Sequence, residues 1–244
     1  MTDPTPDREV RITVEDGDLP AQLFLPPGGS GPGVLLLQEI FGVTDYIRSR
    51  ARDLAHLGYV VLVPQTYWRQ GSLVIDEGEG GLEEAMGTAN SLDWERTVAD
   101  TVAAARALRE LPETTGRTGV MGFCFGGGLA WATTARLSDE GDPPAALLAY
   151  YGSQIPTLLD LADHIDCPQL HHWGSADQFI PAEGVDAVEQ AVTSATGGTF
   201  CRHDGAGHAF DNPSPTFHHP QASARAWETT TKWLGERLGA AVAR

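Results

Sequence analysis

The sequence predicts an α/β fold in which a doubly wound, mostly parallel sheet carries helices on both faces. Two observations lead there. Short runs that are apolar on both faces recur along the chain, as in the central strands of a parallel sheet. Segments with apolar residues at helical spacing lie between them, so right-handed crossovers join the strands.

The elements follow in order. Residues 10–14 and 21–25 are β-rich, and the breaker run PPGGSGPG at 26–33 ends them. Apolar runs then occupy 34–37, 59–63, 119–121, 146–150 and 169–173, and a last strand falls near 199–203. Helical patterns lie at 46–57, 94–111, 127–137, 185–192 and 222–238; in the second, Val98, Val102, Ala105 and Leu108 share one face. The Gly- and Glu-rich stretch 76–90 reads as a surface excursion near the carboxyl edge of the sheet, where open α/β sheets bind ligands. No repeat or linker interrupts the pattern, so residues 1–244 are expected to form a single domain.

Composition narrows the function classes. Of 244 residues 41% are hydrophobic, enough for one α/β domain with a substantial core. No stretch approaches the roughly 20 apolar residues of a membrane-spanning helix. Residues 1–7 (MTDPTPD) lack the basic patch and apolar core of a secretory signal, so a cytoplasmic protein is expected. A net charge of −17, from 33 acidic and 16 basic residues, argues against nucleic acid and anionic lipid as partners. Cys124, Cys167 and Cys201 are odd in number and widely spaced, which predicts free thiols, and no CxxC pair exists for zinc.

The most informative segment is GVMGFCFGGG at 119–128. It contains G-x-C-x-G, the cysteine form of the nucleophile elbow, at a strand-to-helix junction as that motif requires. The elbow predicts the α/β-hydrolase fold. Its sharp turn brings the residues two before and two after the nucleophile together, so a side chain at Gly122 or Gly126 would clash. The helix that follows points its N-terminal dipole at Cys124, favouring thiolate and later an oxyanion. The competing reading is a glycine-rich turn with an inert buried cysteine.

Partners should follow in the chain order nucleophile, acid, histidine. Asp177 lies in GSAD (174–177) at the carboxyl end of the strand at 169–173, and 177 − 124 = 53 residues leave room for a strand and a helix. His208 lies in GAGHAF (205–210), beyond the last strand. It would act as general base towards the thiol and then as general acid towards the leaving group. Asp177 has a local alternative, capping the next helix. His171-His172 and His218-His219 suggest metal at first sight, but adjacent residues in a strand face opposite sides. No metal or cofactor is expected.

At this point the sequence resembles the dienelactone hydrolase family. QEIFG (38–42), GFCFGG (122–127), GSAD (174–177) and AGHAF (206–210) carry the resemblance, in order, across nearly the whole chain. It implies that Glu39 hydrogen-bonds and helps activate the resting cysteine. It also implies that the backbone N–H groups of Ile40 and Phe125 form the oxyanion hole, a placement the fold independently supports. One departure matters. Family members that cleave dienelactone hold its carboxylate with two arginines, one after the second central strand and one four residues beyond the histidine. Here Asn212 stands four residues after His208, and no Lys or Arg occurs between Arg69 and Arg96.

The first reading is therefore a hydrolase of small esters or lactones, working through a Cys-His-Asp triad and an acyl-thioester, with neutral or cationic substrates preferred over carboxylate-bearing dienelactones. Arg69 or Arg202 could replace the missing arginines, which would leave a true carboxymethylenebutenolidase. The remaining alternatives are a non-catalytic binding protein on the same fold and a thiol redox protein. A monomer or small homo-oligomer fits any of them.

Overall fold

The computed structural model describes residues 5–195 and 197–239. Residues 1–4, on which part of the leader-sequence reading rests, lie outside them. Among the described residues eight strands form one sheet: β1 (Arg8–Val14), β2 (Gly17–Phe24), β3 (Gly31–Leu37), β4 (Val60–Pro64), β5 (Thr114–Phe123), β6 (Ala146–Tyr150), β7 (Gln169–Gly174) and β8 (Gly198–His203). Their order is β1-β2-β4-β3-β5-β6-β7-β8. β2 pairs antiparallel with β1 and β4, and every other neighbour is parallel. The apolar runs sit where parallel strands are covered on both sides; β4, β6 and β7 are buried along their whole length.

Among the described residues six α-helices accompany the sheet: α1 (Asp45–His56), α2 (Gly81–Asn90), α3 (Trp94–Glu110), α4 (Phe125–Asp139), α5 (Ala182–Ser194) and α6 (Pro220–Leu238). On one face α1 and α6 meet, the Arg50 guanidinium lying 4.4 Å from the Trp227 ring. On the other, α3 and α4 meet through a 2.6 Å hydrogen bond between the Thr101 and Thr133 hydroxyls. Local chemistry sets the ends. The Asp93 side chain accepts from Arg96 N–H to start α3, and α6 opens with Pro220 and stops at Gly239, φ 76°. Among the described residues no helix is long and apolar enough to cross a membrane.

The winding positions the site. From β3 the chain passes through α1 to β4 on one side; from β5 it passes through α4 to β6 on the other. β3 and β5 are neighbours, so a crevice opens at their carboxyl ends, at Glu39 and Cys124.

Of the elements that differ from the sequence expectation, four have a readable cause. β3 and β5 begin earlier, because Gly31 pairs with Thr114 and Gly33 with Thr118, and glycines leave no mark on a hydrophobic pattern. α4 starts at Phe125, ahead of the expected residue 127, since glycines 126–128 hide its first turn. The excursion 76–90 contains a helix, α2, which buries only Gly81 and Ala85 and so shows little apolar periodicity.

Candidate active site

Cys124 turns the chain from β5 into α4 at φ 52° and ψ −117°, a conformation that costs a non-glycine residue roughly 1–3 kcal/mol. Backbone bonds hold it there. Its N–H donates to the Tyr150 carbonyl at 3.0 Å, and its carbonyl accepts from Gly127 at 2.9 Å and Ser153 at 3.2 Å. A methyl group at Gly122 would overlap the Gly126 carbonyl, and one at Gly126 would overlap the carbonyls of Leu37 and Gln38. Both glycines are required for the close approach anticipated from the motif.

The structure brings the three triad candidates together from three separate connections. His208 Nε2 lies 3.1 Å from Cys124 Sγ, and His208 Nδ1 lies 2.7 Å from Asp177 Oδ2. Asp177 does two jobs, because its Oδ1 accepts from the N–H groups of Phe179 (2.9 Å) and Ile180 (3.2 Å). One oxygen fixes the turn while the other faces the imidazole. It does not cap α5, whose N-cap is Pro181. The His208 ring is buried against Tyr151 and Phe179. Burial opposes its protonation, but the Cys124 sulfur and the Asp177 carboxylate outweigh that and raise its pKa to about 10.

Glu39 is fully buried beside them. Its carboxyl accepts from Asn212 Nδ2 at 2.9 Å and from the Tyr151 hydroxyl at 3.3 Å. The expected hydrogen bond from Glu39 to the cysteine is not formed: His208 holds the sulfur, and Asn212 and Tyr151 hold the carboxyl. Burial pushes the Glu39 pKa up to about 8; the Asn212 bond opposes this and the Glu77 charge adds to it. Behind Glu39 the polar chain continues. Tyr151 and Tyr46 hydroxyls are 3.3 Å apart, Tyr46 donates to Asp211 at 2.6 Å, and Arg50 grips Asp211 with two bonds of 2.7 and 2.8 Å.

The two oxyanion-hole candidates lie at the start of α4 and in the cleft lining. Phe125 is the first residue of α4, so its N–H belongs to the unpaired donors of a helix N-terminus. Ile40 lines the same cavity as Cys124, a cleft of about 170 Å³. Leu82, Met86, Phe179 and Phe217 supply apolar walls, and among the described residues lining it there is no lysine or arginine.

Residues 19–238 match the dienelactone hydrolase family. The chain belongs to it. This dienelactone hydrolase family member is a hydrolase of esters or lactones with the α/β-hydrolase fold. It is similar to the carboxymethylenebutenolidase of Rhodococcus opacus, with 34% identity over 86% of this chain and 83% of that one. The carboxymethylenebutenolidase of Pseudomonas sp. strain P51 is 31% identical over 89% and 90% of the two chains. Among solved structures, a dienelactone hydrolase-like promiscuous phosphotriesterase from metagenomic libraries has the same fold, with a TM-score of 0.78 at 24% identity, covering 95% of this chain and 98% of that one.

In this dienelactone hydrolase relative neither candidate replacement arginine lines the cleft. Arg69 bonds Asp16 (2.6 Å) and Asp100 (2.6 Å) and lies over the Trp68 ring. Arg202 bonds Asp186 and Glu189 on the outer face of α5. The adjacent histidines separate as strand geometry requires: His171 packs edge-on to Trp131, while His172 bonds His203 and Thr230. Sequence reasoning missed Tyr151, Tyr46, Asp211 and Arg50. Asp211 lies 165 residues from Tyr46 and 161 from Arg50 in the chain, and no local motif marks such a contact.

Proposed function

We propose that this hydrolase acts on neutral esters or lactones through a Cys-His-Asp triad. Cys124 passes its thiol proton to His208 and attacks the carbonyl carbon; a C–S bond forms as the carbonyl π bond opens, and the Ile40 and Phe125 N–H groups receive the developing oxyanion. When the tetrahedral centre collapses, the C–O bond breaks and the His208 imidazolium gives its proton to the leaving oxygen. Water then attacks the acyl-thioester with His208 taking its proton, and the acid departs as Cys124 is regenerated. Asp177 holds the imidazole in orientation and stabilises its charged form. Glu39 faces the cavity beside Cys124, and its assignment is a neutral carboxyl that supports the resting site through Tyr151 and Asn212.

The observation that carries this reading is the relay of 3.1 and 2.7 Å bonds from sulfur to imidazole to carboxylate on the floor of the cleft. The substrate preference follows from the cleft wall. An anionic substrate in a partly dehydrated site needs a paired cation, and an unpaired buried charge costs several kcal/mol.

Cys124→Ala is expected to abolish ester hydrolysis while leaving the fold intact. His208→Ala and Asp177→Asn should both lower kcat, the asparagine change by roughly 10²-fold or more and the histidine change further. Asparagine at 177 retains an oxygen for Phe179 and Ile180, so the turn survives. Near-native turnover by Cys124→Ala would overturn the assignment.

A further inference from the structure

The connection between β4 and α3 supplies one wall of the cleft through Leu82, Met86 and Ala89 of α2. Gly81 and Ala85 are its only buried residues, with Leu82 and Ala89 partly buried against the core, so few side chains of its own fix it there. Contacts just upstream do so. Ile75 N–H donates to the Phe41 carbonyl at 2.9 Å. The Leu73 carbonyl crosses Gly42 (φ 89°) so closely that a Cβ there would overlap it. Glu77 Oε1 accepts from Asn212 Nδ2 at 3.1 Å, and the same nitrogen donates to Glu39 Oε2 at 2.9 Å. Asn212 Oδ1 accepts from Ser214 N–H at 2.9 Å. The amide therefore uses both hydrogens and its oxygen inside the protein, and offers no donor to a substrate.

We propose that Glu77 and Asn212 form a latch that holds α2 against the cleft, making Glu77 a positioning residue that sets specificity for esters carrying a bulky uncharged aryl or alkyl group. The inference rests on the hydrolase reading of Cys124. Glu77 does not line the cavity; it acts through Asn212 and through the helix that begins four residues later. The wall so held is apolar, and Phe41, Phe179 and Phe217 line the same cavity. At its mouth Met86 and Phe179 leave 49% and 45% of their surface in water. Exposed apolar groups at the rim of a cleft mark a surface that a ligand covers. A carboxylate placed there would find no lysine or arginine among the described lining residues.

The test compares kcat and KM for ethyl acetate and 2-naphthyl butyrate in the parent, Glu77→Ala and Glu77→Gln. Loss of one hydrogen bond to a charged group predicts that Glu77→Ala raises KM for the naphthyl ester about ten-fold. The kcat for that ester and the KM for ethyl acetate should move by less than about two-fold. Glutamine offers the same carbonyl oxygen to Asn212, so Glu77→Gln should keep the parent KM. Hydrogen exchange supplies a second reading: α2 amides should exchange faster in Glu77→Ala and not in Glu77→Gln. An unchanged naphthyl KM, an equal loss for both esters, unchanged exchange in Glu77→Ala, or a glutamine variant that behaves like alanine would each overturn the latch. A folded parent that hydrolyses neither ester would overturn the hydrolase reading itself, and the latch with it.

Discussion

At the residue scale, surroundings sort the three thiols. Burial pushes Cys167 up to about 12 and raises Cys201 as well, whereas Cys124, also buried, sits at a helix N-terminus in contact with His208 and lines the cleft. Alkylation needs thiolate. Iodoacetamide at neutral pH should therefore label Cys124 roughly ten-fold faster than the others, as peptide mapping by mass spectrometry can follow. Glu39 makes a prediction about stability. Its carboxyl ordinarily titrates near 4.5 and is raised to about 8 in the folded protein. Below pH 4.5 both states hold the proton and the folded state loses nothing. Between 4.5 and about 8 only the unfolded chain releases it, so stability falls as pH rises through that window. Glu39→Gln removes the term, and its Tm relative to the parent should climb by roughly 5 °C or more between pH 5 and 8.5. Cys124, Asp177 and His208 were legible in the sequence because each stands in a local motif at a strand end. The Glu39 contacts were not, because side chains from three separate connections make them.

Among the elements, the elbow depends on backbone passing backbone. The overlap that a methyl group at Gly122 would create is with the Gly126 carbonyl, which cannot turn aside as a flexible side chain can. Gly122→Ala should therefore lose roughly 3 kcal/mol or more of stability in denaturant unfolding. Gly87 is the control. It lies exposed in α2 with open space around it, so Gly87→Ala should gain about 0.5–1 kcal/mol from helix propensity alone. The two alanines are predicted to act with opposite signs. The same contrast explains which elements could be read in advance. β3, β4, β6 and β7 announce themselves because burial on both faces demands unbroken apolar runs. α2 does not, since tertiary contacts through Ile75, Gly42 and Asn212 hold it and its own pattern contributes little.

For the whole molecule, charge is the dominant long-range property. With −17 net charge, an anionic substrate meets repulsion before it reaches a cleft that has no cation lining it among the described residues. A neutral aryl acetate should show a higher kcat/KM than a carboxylate-bearing lactone. Added salt should raise the value for the anion and leave that for the neutral ester almost unchanged, because the screening length shrinks to about 10 Å at 0.1 M. Rates at 10 and 300 mM salt decide it; an anion preference that weakens with salt would reveal an attracting cation. The Arg50–Asp211 pair bears on how the molecule comes into being. Arg50 is only 16% exposed, and its bidentate partner lies 161 residues further on. While a ribosome is still delivering the chain, α1 carries a cation whose bidentate partner is added only 161 residues later. The residue that releases it from water lies just three positions after His208. A nascent fragment halted before residue 208 therefore carries Cys124 without the imidazole that contacts its sulfur, and Arg50 without the carboxylate that grips it.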